Sequence, residues 1–524
     1  MKRLVAFAAA AALTGGAYAL DFGQKIEQQL KASSLSLFGV LNTLSTSSTT
    51  QVTGAQAEAD PTTLVTLAPG LTAHVVSKDP ALGGNVDQIA LWPSDTSPTH
   101  LIFCNEEGTG APAIQRVTIA TGAVETILTG LNRCDPMRRT AWGTVFAAEE
   151  NGAASRIVEI IDPLNVTGVT ISGTTISGGT NPGNIALRPA LGALSFEGFG
   201  LMPNGVIYYG DEKRPGTGGV GGLGGSFYKF IPTTPWVVGN PPITDLSQSP
   251  LVSGRVFGFR PGRNGGSFSN ADAGPGNEFG RGWWVEIVEG QVIGTATISR
   301  TDLGAAATAL HLSAYYRPED IDVDQKALAA GNVRICGTNT GQDVSQGDNH
   351  WGEVYCITDG TLAQAADATT ATQTLATLGV TGNVPYTVLA NSTPEYQPLV
   401  IGNFDFAMMD NIAYQPGRGN WILHEDGEGP SSPVPLKRGN DLWDCLDDGA
   451  DKDILSDGCV KIASINDTIG AGSGGGGAEW TGGIFDATGQ HFYVSIQHAI
   501  GTGTSGTPGP TYAHGYILDI TGWQ

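Results

Sequence analysis

The chain has 524 residues, 75 of them glycine, with 15% charged residues and a formal net charge of −23. Few charges and many glycines suit short strands joined by tight turns, since glycine supplies the positive φ that turns need; they do not suit a helical bundle. The acidic excess excludes nucleic acid as a partner, because phosphate neutralisation needs clustered Lys and Arg, and it repels anionic membranes, so its origin is solubility or sites for divalent cations.

In chain order, the first residues read "MKRLVAFAAAAALTGGAYAL". Lys2 and Arg3 give a basic start, Leu4 to Leu13 an apolar run too short to span a bilayer, and "AYA" a small-residue cleavage pattern. Residues 1–19 are therefore expected to be a Sec-type signal peptide, and the mature chain to be periplasmic or secreted. No later run is long and apolar enough to serve as a membrane anchor. Residues 20–60 hold a helix-spaced segment, "KIEQQLKASSLSLFGVLNTL", and a polar linker, "STSSTTQVTGAQAEADP".

From 61 to 524 the pattern changes to short apolar runs, such as "THLIFC", "GTVFAAEE", "GVIYYGD", "GWWVEIV" and "HFYVSIQH". Each is bounded by Gly, Pro, Asn or Asp, as strand punctuation predicts. A loose theme repeats: a turn, four or five apolar residues, then a carboxylate. That recurrence predicts an all-β fold, a β-propeller with a short helical N-terminal segment, in which distant strand ends meet at one channel mouth. A pair of β-sandwiches is the alternative.

The acids at these strand ends are Glu149 and Glu150, Glu197, Asp211 and Glu212, and Glu425 and Asp426. The stretch "YYRPEDIDVD" (315–324) adds Arg317, Glu319, Asp320, Asp322 and Asp324. Any one of them could end its strand in water. Gathered at one mouth they would repel strongly unless cations sat among them, and calcium takes six to eight oxygen ligands in flexible loops. Arg317 has the planar fork that grips phosphate or carboxylate; it could equally pair with Asp320 or Asp322.

Six cysteines remain after the signal segment. Cys336 and Cys356 end adjacent-looking strands, and Cys445 and Cys459 flank one loop, so both pairs suit disulfides in an oxidising compartment. Cys104 and Cys134 form either a third disulfide or two separate thiols. A Cys134 thiolate beside carboxylates would suit a transition metal better than calcium. "GTGGVGGLGG" (216–225) lacks the Lys-Ser/Thr of a P-loop, "DDGADKD" (447–453) lacks EF-hand spacing, no G-x-S-x-G elbow occurs, and His424 and His498 read as structural.

Taken in order, several segments resemble the PhoX family of secreted alkaline phosphatases. They are "CDPMRRTAWGTVFAAEE" (134–150), "SRIVEIIDP" (155–163), "LGALSFEG" (191–198), "NGVIYYGDEKRPG" leading to "GGSFYKFIP" (204–232), "RPEDIDVD" (317–324), "MDNIAYQPGRGNWILHEDG" (409–427) and "EWTGGIFDATGQHFYVSIQH" (479–498). The resemblance implies a six-bladed propeller with metals at its mouth, iron and calcium as cofactors, and hydrolysis of small phosphate monoesters. It implies that Cys134 bridges iron, that Glu149, Glu150, Glu197, Asp211, Glu212 and Glu319 hold metal, and that Arg317 holds the phosphate. Glu425 and Asp426 fall where a further acidic strand end is expected. The chain departs from the family pattern at Ala141, where Pro is usual, at Phe196, where His is usual, and in a leader without twin arginines. The expected assembly is a monomer. Two other readings stand beside the phosphatase: a non-catalytic propeller stabilised by calcium, and a propeller hydrolase of another ester class such as a lactonase.

Overall fold

The computed structural model describes residues 22–524 apart from 79, 215–221, 223, 262–279, 342–350, 377–382, 404, 428–437, 448–455, 457, 469–477 and 501–513. The expected signal peptide, most of the glycine loop and most of the "DDGADKD" stretch lie outside the described residues.

Alternating apolar residues bounded by turns give an all-β, propeller-like architecture. Six strands pack side by side in a closed circuit. Val86–Trp92 lies against Cys134–Arg139, then come Phe199–Leu201, Pro318–Val323, Met409–Tyr414 and Glu479–Phe485, which returns to Val86–Trp92. These inner strands are almost wholly buried; Met409–Tyr414 has no exposed residue. Four of them begin separate sheets of four to six strands. The other two, Phe199–Leu201 and Pro318–Val323, lie at the two ends of one eleven-stranded sheet.

Six equal blades are therefore not what the sheets display. The reason is local. Gly280–Glu286 pairs along most of its length with Gly254–Pro261, but its first residues pair with Glu395–Ile401, Gly280 opposite Tyr396 and Arg281 opposite Glu395. Those few hydrogen bonds join two strand groups into one sheet.

The ring is closed by strands from both ends of the chain. Thr72–Lys78 pairs with the last strand, His514–Thr521, in the sheet that ends at Glu479–Phe485. Closure of this kind leaves the inner strand edges short and protected. The segment before it is more than a tether. Thr53 and Gln56 form a reciprocal capping box on the helix Gly54–Ala59. Phe38, Val40, Val52 and Leu64 are buried against Ile462, Trp480 and Ile496 of two sheets. Burying each such side chain contributes roughly 1.5–3 kcal/mol, enough to fix the segment on the propeller.

Candidate metal and anion centre

Four inner strands carry an acid at their second residue: Asp87, Asp135, Glu319 and Asp410. Glu479 is the first residue of a fifth. Because the strands run alike around the ring, those acids meet at one mouth. Glu106, Glu150, Glu197, Glu212 and Asp426 join them from the loops and strand ends between. One carboxylate oxygen each from Glu150, Glu197 and Glu212 lies within 4.8 Å of the other two, and all three residues are buried.

Gly198 lets the ring close this tightly. A Cβ there would lie 2.4 Å from the Ile321 nitrogen and 2.5 Å from the Asp320 Cα. The strand bearing Glu319 can thus run directly beside Glu197. Beneath, Arg138 donates to Asp320 (2.8 Å), and the Gln88 amide donates to the same oxygen (3.0 Å), so Asp320 is spent in bracing inner strands rather than offered to a ligand.

Arg317 stands among the carboxylates with φ 62°, a left-handed conformation that costs a non-glycine residue about 1–2 kcal/mol. Its Nε is 2.6 Å from Glu319 Oε1 and 2.9 Å from Glu212 Oε1; its Nη1 is 3.2 Å from Asp426 Oδ2 and 3.9 Å from Asp410 Oδ1. Arg133 reaches Glu150 at 2.8 Å. Despite its closeness, Arg317 gives Glu319 no directed hydrogen bond, because its Nε–H is donated to Glu212.

The electrostatics follow from crowding. Burial, then neighbouring acids, pushes Asp87, Asp135, Glu197 and Glu479 well above the usual carboxylate range. Burial drives Glu319 the same way, with Arg317 opposing and Asp410 and Glu212 assisting. Burial and Glu212 push Glu150 up to about 11, and burial raises Glu106 and Asp410 to about 7. Glu212 goes the other way. Burial raises it, but Arg317, the Glu150 hydrogen bond and Arg214 outweigh that and bring it to about 2. Several carboxyls therefore share protons pairwise, Asp135 with Glu197 and Asp426 with Glu479. Such a group either keeps its protons or exchanges them for cations.

The strand ends resolve the paired acids of the sequence. Successive residues on a strand face opposite sides, so one member of each pair reaches the mouth. Glu150 does; Glu149 is turned to Arg156, which it accepts at 2.8 Å, and to the Asn132 amide at 2.6 Å. Asp426 does; Glu425 is held by Arg438 at 2.6 Å and by the Asp441 amide at 3.0 Å. Glu212 does; Asp211 accepts the Ser195 amide at 3.1 Å. Glu149 and Glu425 are thus held by Arg156 and Arg438, and Asp211 by the Ser195 amide. Cys134 is correspondingly changed: its sulfur is bonded to Cys104, and a disulfide sulfur is no bridging thiolate. The Cys336–Cys356 and Cys445–Cys459 pairs form as expected.

Asp87, Glu106, Asp135, Asp410, Glu479 and Arg133 were not singled out from the sequence. For Asp87, Asp135 and Asp410 a signal was present: each is the second residue of its inner strand, as Glu319 is. The donor set they complete is oxygen only, from buried carboxylates such as Glu319 and Asp135. It fits hard divalent cations such as calcium. It does not fit a sulfur-bridged iron centre while Cys134 is disulfide-bonded.

A ring of β-sheets around a buried acidic centre with an embedded arginine defines a propeller-like protein. The model of the family described as alkaline phosphatase PhoX matches residues 186–500, more than half of the chain, and the chain belongs to that family. A solved structure of Pseudomonas fluorescens PhoX, in complex with vanadate, a transition state analogue, is similar in fold: TM-score 0.57 at 15% identity, covering 91% of this chain and 98% of that one. The PQQ-bound aldose sugar dehydrogenase of Streptomyces coelicolor gives a TM-score of 0.40 at 14% identity, covering 87% and 99%. A search of the curated proteins finds no match.

Proposed function

We propose that this chain hydrolyses small phosphate monoesters at the acidic centre, with calcium among its cations. The observation that carries the reading is Arg317 set between Glu212, Glu319 and Asp426, beside the converging oxygens of Glu150, Glu197 and Glu212. Bound divalent cations supply charge neutralisation for the phosphoryl oxygens and orientation of an attacking oxygen. Glu150, Glu197, Glu212 and Glu319 would hold them. With those carboxylates drawn to cations, the Arg317 fork is released to a phosphoryl oxygen pair, the geometry guanidinium groups match best. The protein otherwise acts by positioning, as phosphoryl transfer requires.

The six inner strands support counting the ring as a six-bladed propeller. Secretion or periplasmic residence rests on the leader sequence and suits three disulfides. Among the described residues, no helix is long and apolar enough to cross a membrane. A monomer is the simplest state for a ring closed by its own termini. The test is an arylphosphate assay on calcium-loaded protein with Arg317→Met beside it. Turnover lost in the variant supports the reading; equal turnover in both, or none in the wild type at any divalent load, removes it.

A further inference from the structure

Among the described residues, three arginines reach the carboxylates assigned to cations, and they stand at three depths. Side-chain exposure rises from 15% at Arg317 to 28% at Arg214 and 44% at Arg133. Arg214 lies 3.6 Å from the same Glu212 Oε1 that Arg317 Nε approaches, and Arg133 Nη1 lies 2.8 Å from Glu150 Oε2. Glu150 is in turn hydrogen-bonded to Glu212. The two outer guanidinium groups therefore flank one carboxyl pair, nearer to solvent than the arginine assigned to the phosphate.

Both outer residues are built into the backbone around the centre. Arg133 has φ 54°; its N–H donates to the Glu107 carbonyl and its own carbonyl accepts from the Glu150 N–H, each at 2.8 Å. A left-handed residue other than glycine persists only where its surroundings hold it. The Lys213 carbonyl, one residue before Arg214, accepts from Gly225 at 2.8 Å and from Arg317 at 3.2 Å. The backbone that holds Arg317 thus also places Arg214, and the strand end that carries Glu150 also places Arg133.

Charge balance alone does not account for the outer pair. An exposed ion pair is screened by water and contributes little, so Arg133 is a poor counter-ion for a buried acid. A guanidinium instead offers several N–H donors in a planar fork that matches carboxylate or phosphate, and one contact does not use them all. We propose that Arg133 and Arg214 form a second anion site at the mouth, and that the preferred substrates are phosphate monoesters whose leaving group carries a further carboxylate or phosphate. The ester phosphate sits at Arg317 and the second anion at the outer pair. The inference rests on the phosphatase reading and names its substrate class.

Binding and turnover by the calcium-loaded full chain test it. Propylphosphonate carries one anionic group; 3-phosphonopropanoate adds a carboxylate, and propane-1,3-bisphosphonate adds a second phosphonate. Wild type should bind one or both of the doubly anionic ligands about tenfold tighter than propylphosphonate, the discrimination that one charge-assisted hydrogen bond supplies. The better of the two tells carboxylate from phosphate as the second group. Arg133→Gln and Arg214→Gln should each bring the ratio towards one, and Arg133→Lys and Arg214→Lys should keep part of it. A fault in folding or metal loading weakens all ligands alike and leaves the ratio unchanged. A wild-type ratio near one, or a ratio equal in wild type and both Gln variants because the cations alone create it, overturns the second site. Turnover of glycerol 3-phosphate and 3-phosphoglycerate is measured on the same protein. An arginine-dependent ratio in protein that hydrolyses neither ester overturns the phosphatase reading and leaves the anion site standing; no binding and no turnover overturns both.

Discussion

Arg317 Nε stands 2.6 Å from Glu319 Oε1, yet it donates its hydrogen bond to Glu212. The pair is an electrostatic neighbour relation without a directed bond. It leaves the carboxylate with lone pairs to offer and the guanidinium with a partner it can give up.

Removing that arginine should therefore act in two ways. In metal-free protein, Arg317→Met leaves buried carboxylates without their cation, and losing one partner of a buried pair costs about 3–5 kcal/mol. Saturating calcium should restore much of that stability but not phosphatase turnover. Thermal melts with chelator and with calcium, run beside the assay, check this. A variant as stable as wild type under chelator would contradict it.

The turned-away acids give a contrasting pair of variants. Glu197→Gln removes a metal-facing carboxylate and should weaken calcium binding at least tenfold. Glu425→Gln breaks the buried contact with Arg438, so it should lower stability by several kcal/mol, as broken buried pairs do, while the surviving folded protein keeps near-normal calcium affinity. Calcium titrations monitored by melting temperature separate the two.

Gly198 should tolerate no side chain. The nearest atoms to a built Cβ are backbone of the neighbouring inner strand, which cannot rotate aside. Gly198→Ala should cost about 1–3 kcal/mol as an overpacking change, and it should weaken calcium binding because Glu197 is the adjacent residue. Denaturant melts and a calcium titration measure both effects.

Away from the centre, Asp444 sets a pH dependence. Burial pushes its carboxyl from the ordinary 3.8 up to about 8, against the Asn420 hydrogen bond and Arg418. The folded chain thus holds this proton more tightly than the unfolded chain. The stability it contributes is complete below about pH 4 and is lost as pH rises through about 8. Asp444→Asn should match wild type near pH 4 and melt several degrees higher at pH 9. Parallel curves for the two proteins across that range would contradict the assignment.

Much of the fold was legible because strand period and turn punctuation are local properties. The all-β ring, two disulfides and the clustering of Glu150, Glu197, Glu212, Glu319 and Asp426 around Arg317 all follow from them. Which of two adjacent acids faces the mouth was not legible, since it depends on strand phase, and a shift of one residue reverses it. Glu149 and Glu425 are turned to Arg156 and Arg438 for that reason. Asp87 and Glu106 were missed because each is one ordinary acid in its own segment, and only ring closure brings them to the others. The joined eleven-stranded sheet was equally hidden, since it turns on the pairing of Gly280 and Arg281 with residues more than a hundred positions away.

The central claim is that the buried acids exchange their shared protons for divalent cations. Calorimetric titration of metal-free protein with calcium, repeated in buffers of different ionisation enthalpy, tests it most directly. The account predicts saturable binding with net proton release, both sharply reduced in Glu197→Gln and Glu212→Gln. Binding without proton release, or the same titration in wild type and both variants, would contradict it.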